Sequence, residues 1–330
     1  KVKRGFATKG DALAWEADFL ASADGSMSMP FEAFVKRYSE DVRPRLKLNT
    51  WLTKEHIIRT KIVPFFGPKR MCDITPKDVV DWQNRMVGSY DDEGKPYSGT
   101  YLRTINNQLS AIFNHAVKYY GLGKSPATPT IKIGERKGAE MRFWTKEQYL
   151  AFSEEVMDKP ASFYAFEILY WCGLRVGELL ALEPNDIDLG KCLIHVTKSY
   201  QRIRRRDVIT SPKTPKSKRD VVMPEFLADE LADFLGSIPE ERRACRIFCF
   251  TKSYLHHEMK RGSAACGLEP IRIHDLRHSH VSLLIEMGFS AIAIADRLGH
   301  ETYEMTLRYA HLFPSKQSDM AAALDQGRRP

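Results

Sequence analysis

Between Ser98 and Tyr120, the apolar residues Leu102, Ile105, Leu109, Ile112, Phe113, Ala116, Val117 and Tyr120 fall on one stripe at helical spacing. A stripe of that length has to be covered by other elements, and the sequence before it supplies them. Phe31, Phe34, Tyr38 and Val42 recur at helical spacing until Pro44 ends the run. A second helix is predicted from Thr50 to Phe66, closed by Gly67-Pro68, and Thr75-Pro76 opens a third in the N-cap and first-turn arrangement. Gly121 offers the C′ position of the fourth. These segments predict a small helical bundle over residues 25–121. Upstream, FATKGDALAWEADFLA (6–21) predicts one amphipathic helix with Ala12, Trp15, Phe19 and Leu20 on one side and Thr8 as N-cap. Residues 1–24 then form a connector or the remnant of a further domain. The first residue is Lys rather than Met, as expected of a fragment or a processed product.

Residues 122–142 carry Pro126, Pro129, Gly134 and Gly138 among lysines and predict a basic linker. Beyond it the pattern changes. Helices are expected at 145–157 and 161–172, followed by GLRVGELLAL at 173–182. Strands are expected at 191–199, 205–210 and near 218–223, and helices again at 225–235, 252–266, 275–287, 290–298 and 302–311. The fold class is therefore mostly α with a small antiparallel sheet, in two domains, which a chain of 330 residues can supply with separate cores.

Lys and Arg number 50 against 42 Asp and Glu, and the resulting charge of +8 favours a polyanionic partner, nucleic acid or an anionic membrane surface. No apolar run approaches the ~20 residues that span a bilayer, so a soluble chain is expected. The six cysteines, at 72, 172, 192, 245, 249 and 266, form no CxxC pair and read as reduced thiols of a cytoplasmic protein. Charge is concentrated between Lys198 and Arg219. That stretch holds nine cations (Lys198, Arg202, Arg204, Arg205, Arg206, Lys213, Lys216, Lys218 and Arg219) and one acid, Asp207. Either it is a solvated hairpin or it faces phosphates, and the shortage of counter-acids favours phosphates.

Arg175 sits in an apolar setting and needs a partner, because a desolvated guanidinium is costly. Glu178 three residues on, or a phosphate held bidentately, would each serve. HDLRH at 274–278 opens a helix on which His274, Arg277 and His278 share a face. A zinc-protease reading of the two histidines fails, because Asp275 replaces the required Glu and Arg277 would set a cation against the metal. Taken singly, His300 reads as a helix-capping histidine and Tyr309 as a half-buried core tyrosine. As a set, Arg175, a lysine of the basic stretch, His274, Arg277, His300 and Tyr309 supply what metal-free phosphoryl transfer needs. Cations neutralise the non-bridging oxygens, an acid protonates the leaving alkoxide, and a nucleophile takes the phosphoryl group.

In GLRVGELLAL, SPKTPKSKR, HDLRHSH, LGH and TLRYAHL, in that order over about 145–313, the sequence resembles the tyrosine recombinases of the phage integrase family. Upstream, TWLTKEHIIRTKIVPFFG, DITPKDVVDWQNRM and TYLRTINNQLSAIFNHAVKYYGLGKSP are similar to the core-site-binding domain of integrases from conjugative transposons and temperate phages. FATKGDALAWEADFL resembles the tail of the arm-site-binding domain that precedes it. The resemblance implies a SAM-like helical core-binding domain (25–121), an α+β catalytic domain (143–313) and a tail (314–330) that docks on a neighbouring protomer.

The resemblance also implies roles. Tyr309 would attack a scissile phosphate, giving a 3′-phosphotyrosyl link and a free 5′-hydroxyl. Arg175 and Arg277 would clamp the non-bridging oxygens, with a further hydrogen bond from His300. His274 would assist proton transfer at the tyrosine, whose ordinary pKa is ~10. Lys213, chosen over Lys216 because PKT matches the family pattern, would protonate the departing oxygen. His278 is expected to pack or support. Neither a metal nor a nucleotide cofactor is implied. The partners implied are double-stranded DNA at core sites, other copies of the chain in a tetramer, and an excisionase or DNA-bending accessory protein, in the bacterial cytoplasm or nucleoid and with no membrane. Candidate DNA-reading residues are Thr50, Lys54, Arg103, Asn106 and Asn107 on the helical domain, with Arg202, Arg204 and Arg205 on the basic stretch. Two rival functions share the scaffold: a DNA-binding protein that does not cut, and a type IB topoisomerase.

Overall fold

The computed structural model describes residues 27–135, 141–212, 214–242, 245–302 and 304–307, with Thr8, Gly10 and Tyr309. Apart from Thr8 and Gly10, the expected helix over 6–21 lies outside the described residues, as does the tail 314–330. The chain divides into two compact units, Lys1–Ala139 and Glu140–Pro330.

In the first unit, Ser98 caps helix α5 (Gly99–Tyr119) by accepting the Tyr101 N–H, and the expected stripe is buried from Leu102 to Ala116. Around it lie α1 (Phe31–Val42), α2 (Leu48–Ile57), α3 (Val63–Phe66) and α4 (Pro76–Val87). Thr75 and Asp78 cap α4 reciprocally, which fixes its start where Thr75-Pro76 predicted it. The segment expected as one helix from Thr50 to Phe66 is helical throughout, but it widens into a π turn at Ile58–Ile62. Pro64 explains the widening. It has no N–H to return to the preceding turn, and the Val63 N–H instead reaches five residues back to Ile58 O. The Trp82 indole N–H donates to Lys61 O in the same turn at 2.8 Å. Phe31, Phe66, Trp82 and Phe113 form the aromatic centre, with ring centroids 5.5–5.7 Å apart between Phe31 and Phe66, Phe31 and Phe113, and Phe66 and Trp82.

The segment expected as a linker starts later than its composition suggested. Leu122 is buried, Ala127 and Ile133 pack on the first core, and Gln83 Nε2 donates to Ile131 O at 2.9 Å. Side-chain and backbone hydrogen bonds thus tie residues after Gly121 to the bundle.

In the second unit, helix α7 (Pro160–Trp171) is buried nearly all round, against α6 (Lys146–Glu154), α9 (Glu225–Gly236) and α11 (Asp275–Glu286). Its buried Glu167 is satisfied by the Tyr149 hydroxyl at 2.6 Å and the Trp171 indole at 2.8 Å. Strands β1 (Ile187–Asp188), β2 (Leu193–Val196) and β5 (Arg219–Val222) form an antiparallel sheet in the order β1-β2-β5, with Ile194 opposite Val221. The run expected as one strand over 191–199 is broken after Val196. A separate strand, β3 (Ser199–Ile203), pairs with β4 (Arg206–Thr210) as a hairpin. Helices α8 (Val176–Leu179), α10 (Lys252–Ala265), α12 (Ala291–Leu298) and α13 (Glu304–Leu307) complete the described unit.

Candidate active site

Arg175 ends an extended segment and sets the start of α8. Glu178 reaches back to it, accepting its backbone N–H at 2.9 Å and its Nη1 at 2.6 Å. Oε2, which takes that backbone N–H, also accepts from Arg219 Nη2 at 3.1 Å. Glu178 is therefore the partner that the apolar setting of Arg175 demanded, shared with a second arginine from β5. Burial opposes its charge, but the Arg219 and Arg175 cations outweigh burial and hold the carboxyl below its ordinary range. Arg219 is fixed further, by Nε to Arg297 O at 3.0 Å and Nη1 to Ser217 O at 3.2 Å. The Arg175 side chain stays 31% exposed, so it is not sealed from an incoming acceptor.

Arg277, one turn into α11, is buried. Its Nη1 donates to Gly173 O and its Nη2 to Leu298 O, both at 2.7 Å. Those two carbonyls orient the guanidinium and leave three of its five N–H groups for another acceptor. Burial, then the Arg175 cation, works against its charge, while Glu178 and Tyr309 favour it. Two glycines make this geometry accessible. Gly173 (φ 64°) lies so close to His280 and Leu298 that a Cβ would meet their side chains at 2.6 and 2.8 Å. Gly299 (φ 64°) ends α12 in the left-handed region, with Lys216 O only 2.7 Å from where a Cβ would stand.

His300 follows that turn, buried, with Nδ1 2.8 Å from Thr306 Oγ1. Burial, then the Arg277, Arg175 and Arg219 cations, push its pKa down to about 3, so the imidazole is neutral at pH 7. His274, at the N-terminal end of α11, opens to solvent, but partial burial and the neighbouring His278, Arg277 and Arg175 lower it to about 4. Its ring meets His278 edge to face, 5.2 Å between centroids. Tyr309 is 4% exposed, packed with Val281, Ile285, Ile294 and Leu298. Its hydroxyl is hydrogen-bonded to His278 Nδ1. Arg175, His274, Arg277, His300 and Tyr309 thus act on one another electrostatically in one site. Lys213 lies outside the described residues, and Lys216 is exposed. Arg219 and Glu178 are the additions: Glu178 was visible only as a candidate partner, and Arg219 only as one cation among nine.

The DNA-reading candidates separate. Thr50 and Asn107 are exposed. Asn107 borders a polar hollow of about 410 Å³ with Asn114, Thr128 and Lys132. Asn106 is instead buried, accepting from Gln83 Nε2 at 2.8 Å, and so cannot reach a base edge. Lys54 is also turned inward, with Nζ 2.6 Å from both the Tyr38 hydroxyl and Gln108 Oε1. Arg103 is half-buried, with Nη1 3.4 Å from Gly134 O.

On the basic stretch the expected lack of counter-acids is corrected, because acids arrive from elsewhere in the fold. Lys198 pairs with Glu183 and Asp186, and Arg219 with Glu178. Arg202 lies 3.8 Å from Asp207. Arg204 and Arg205 are exposed and form the two-residue turn between β3 and β4, both with positive φ, 49° and 64°. Hairpins of this geometry favour Asn-Gly, and each non-glycine residue in the left-handed region costs about 1–2 kcal/mol. Replacing Arg204-Arg205 by Asn-Gly should therefore stabilise the second unit by about 1–2 kcal/mol. On the expectation that the basic stretch faces phosphates, the same change should weaken DNA binding and lower its salt slope by about 1 per arginine that touches phosphate. Thermal unfolding and binding titrations at several salt concentrations check both signs.

A sequence model described as "Phage integrase family" matches residues 142–316. One described as "Phage integrase, N-terminal SAM-like domain" matches residues 30–87. The chain is 29% identical over 343 residues to the ICEBs1 integrase of Bacillus subtilis, covering 96% of this chain and 90% of that protein. It is 27% identical over 278 residues to the integrase of Mycobacterium phage D29, covering 81% and 71%. The fold is similar to that of the Tn1549 transposon integrase in complex with a circular intermediate DNA, with TM-score 0.71 and 20% identity over 89% of this chain and 98% of that one. It is also similar to a lambda integrase dimer bound to a core site, with TM-score 0.63 and 20% identity over 92% and 81%.

Proposed function

The chain belongs to the phage integrase family of DNA breaking-rejoining recombinases, and on that premise we propose that it integrates and excises a mobile element through a 3′-phosphotyrosyl intermediate. The observation that supports this most is the single site in which Arg175, Arg277, two depressed imidazoles and a buried phenol act on one another. In the proposed step the Tyr309 oxygen bonds to the scissile phosphorus and the bond to the 5′-oxygen breaks. The phenol proton passes to an imidazole of the His274–His278 pair, and Lys213 supplies a proton to the departing 5′-oxygen. Arg175, Arg277 and His300 hold the non-bridging oxygens, where charge accumulates in the transition state. The phosphotyrosyl bond keeps the energy of the phosphodiester, so rejoining needs no nucleotide.

The helical unit would read the core site through exposed residues such as Thr50 and Asn107, and the Arg204-Arg205 turn would track the phosphates. The assembled form would be a tetramer on DNA, with 314–330 of one copy on the next. An excisionase or DNA-bending protein would bias direction.

A nicked suicide substrate tests the reading, because the short 5′-fragment diffuses away and traps the intermediate. The expected result is a detergent-resistant adduct whose tryptic map carries DNA on Tyr309. Tight binding without an adduct would make the chain a non-cutting DNA-binding protein. Relaxation of supercoiled plasmid without site preference would make it a topoisomerase.

A further inference from the structure

The phenol that is proposed to attack phosphorus is held by a histidine to which the sequence reading gave only a supporting place. His278 projects from α11 one turn beyond His274, and its Nδ1 is hydrogen-bonded to the Tyr309 hydroxyl. The other side of the ring faces Asp275, with Nε2 3.7 Å from Oδ1. At that separation the contact is electrostatic rather than a hydrogen bond, and a carboxylate facing Nε2 favours the tautomer with the proton there, in which Nδ1 carries the lone pair that receives the phenol O–H. Asp275 is itself fixed. It is 1% exposed and accepts from Arg272 Nη2 at 2.8 Å, Arg272 Nε at 3.0 Å and the Arg272 backbone N–H at 3.1 Å. Arginine, carboxylate, imidazole and phenol thus stand in a row, hydrogen-bonded at both ends and joined electrostatically in the middle, an arrangement by which a weak nucleophile is activated.

We propose that His278 is the catalytic base of strand cleavage, taking the Tyr309 proton on Nδ1 while the Asp275 carboxylate faces the opposite side of the ring. This rests on the recombinase reading above. As the bond from the Tyr309 oxygen to phosphorus forms and the bond to the 5′-oxygen breaks, the phenol proton moves to Nδ1. The imidazolium so formed lies against the Asp275 carboxylate, and in rejoining the same proton returns to the phenol.

The charges around the ring suit this task. From its own helix and the preceding loop His278 is faced by His274, Asp275, Arg277 and Arg272, and from the segment after α13 by Tyr309. Burial lowers the imidazole pKa, Asp275 opposes that, and Arg272 and Arg277 add to it, so a neutral ring is available at pH 7. His274 meets the ring edge to face and is itself exposed to solvent, where it can meet the phosphate rather than the phenol.

His278→Asn separates proton transfer from positioning, because its amide oxygen can take the place of Nδ1 as an acceptor but cannot hold a proton. Single-turnover adduct formation on the suicide substrate should fall about 10²- to 10³-fold at pH 7. DNA affinity should stay within about threefold, as expected when a transition-state contact alone is lost. The wild-type rate should level off above the pKa of the imidazole, whereas the variant's should climb with pH toward the ordinary phenol value of ~10. The defect should persist on a substrate with a 5′-bridging sulfur, whose leaving group needs no proton. Free imidazole should restore part of the rate to His278→Ala, and DNA affinity verifies that each variant is folded.

A His278→Asn variant with wild-type rate and pH profile overturns the proposal. So does a pH profile altered by His274→Gln and not by His278→Asn. Absence of any adduct from the wild-type chain would sink the recombinase reading instead, and the two failures are therefore distinct.

Discussion

Tyr309→Phe is expected to abolish the covalent adduct, a loss of more than about 10⁴-fold in single-turnover rate, while leaving DNA affinity within about threefold. The asymmetry follows from where the ring and the hydroxyl go. The ring packs with Val281, Ile285, Ile294 and Leu298, and phenylalanine keeps that packing. The hydroxyl bonds to His278 Nδ1, and losing that hydrogen bond costs the fold about 1 kcal/mol. No other oxygen nucleophile at the position survives the change. Filter binding and the suicide-substrate assay on the same preparation check the two halves. If DNA binding fell with the adduct, the packing of the segment, rather than its hydroxyl, would be what the site depends on.

Much of the bundle was legible because local signals agreed with one another. The stripe of α5 and the Thr75-Pro76 start of α4 are each decided within a few residues, and the structure keeps the second whole and the first from Leu102 to Ala116, with Val117 exposed beyond it. The failures on the same helices were also local. Asn106 stands four residues from Leu102 and three from Leu109, and so lies on the buried face beside Gln83. Lys54 stands three residues from both Trp51 and Ile57, and the same geometry turns it toward Tyr38 and Gln108. Polar character suggested a DNA contact at both positions, where periodicity pointed inward. The end of the bundle was missed for a different reason. Proline and glycine in 122–135 mark an irregular backbone, but an irregular backbone can still be pinned, as Gln83 pins Ile131.

In the second unit the motifs named most of the site, and chain separation hid the rest. Glu178 is three residues from Arg175 and was visible as a partner. Arg219 is 41 residues from Glu178, and only the pairing of β5 with β2 brings it there. The β3–β4 hairpin was blurred because its turn is Arg-Arg, with no glycine or asparagine to announce positive φ. A turn that violates the local preference, on an exposed tip, is the kind of conflict that functional surfaces retain.

Glu178→Gln is the other change expected to act strongly, and it acts on stability and rate together. The carboxylate is 3% exposed between Arg175 and Arg219, whose side chains are 31% and 7% exposed. The amide keeps the volume and one acceptor but sets an NH₂ group against a guanidinium and leaves the buried Arg219 and the half-buried Arg175 without a counter-charge. Removing one partner of such an arrangement costs about 3–5 kcal/mol. Burial opposes ionisation of Glu178, yet Arg219 and Arg175 hold its pKa below the ordinary 4.5, which fixes the sign of the pH dependence. The stabilisation is complete above pH 4.5 and fades as the pH falls through the lower folded value, so the variant should lose that part of the acid limb. Adduct formation should drop about 10²-fold, because Arg175 loses the group that aims it before any phosphate arrives. Urea unfolding of the full chain, read by hydrogen exchange in the 173–182 segment, measures the first effect and the suicide substrate the second. Adding Arg219→Met removes the orphaned cation and should recover much of the stability but none of the rate, since Arg175 remains unaimed. A single variant within about 1 kcal/mol of the wild type would mean that water screens the pair and that Arg175 is aimed by other groups, Ser217 foremost.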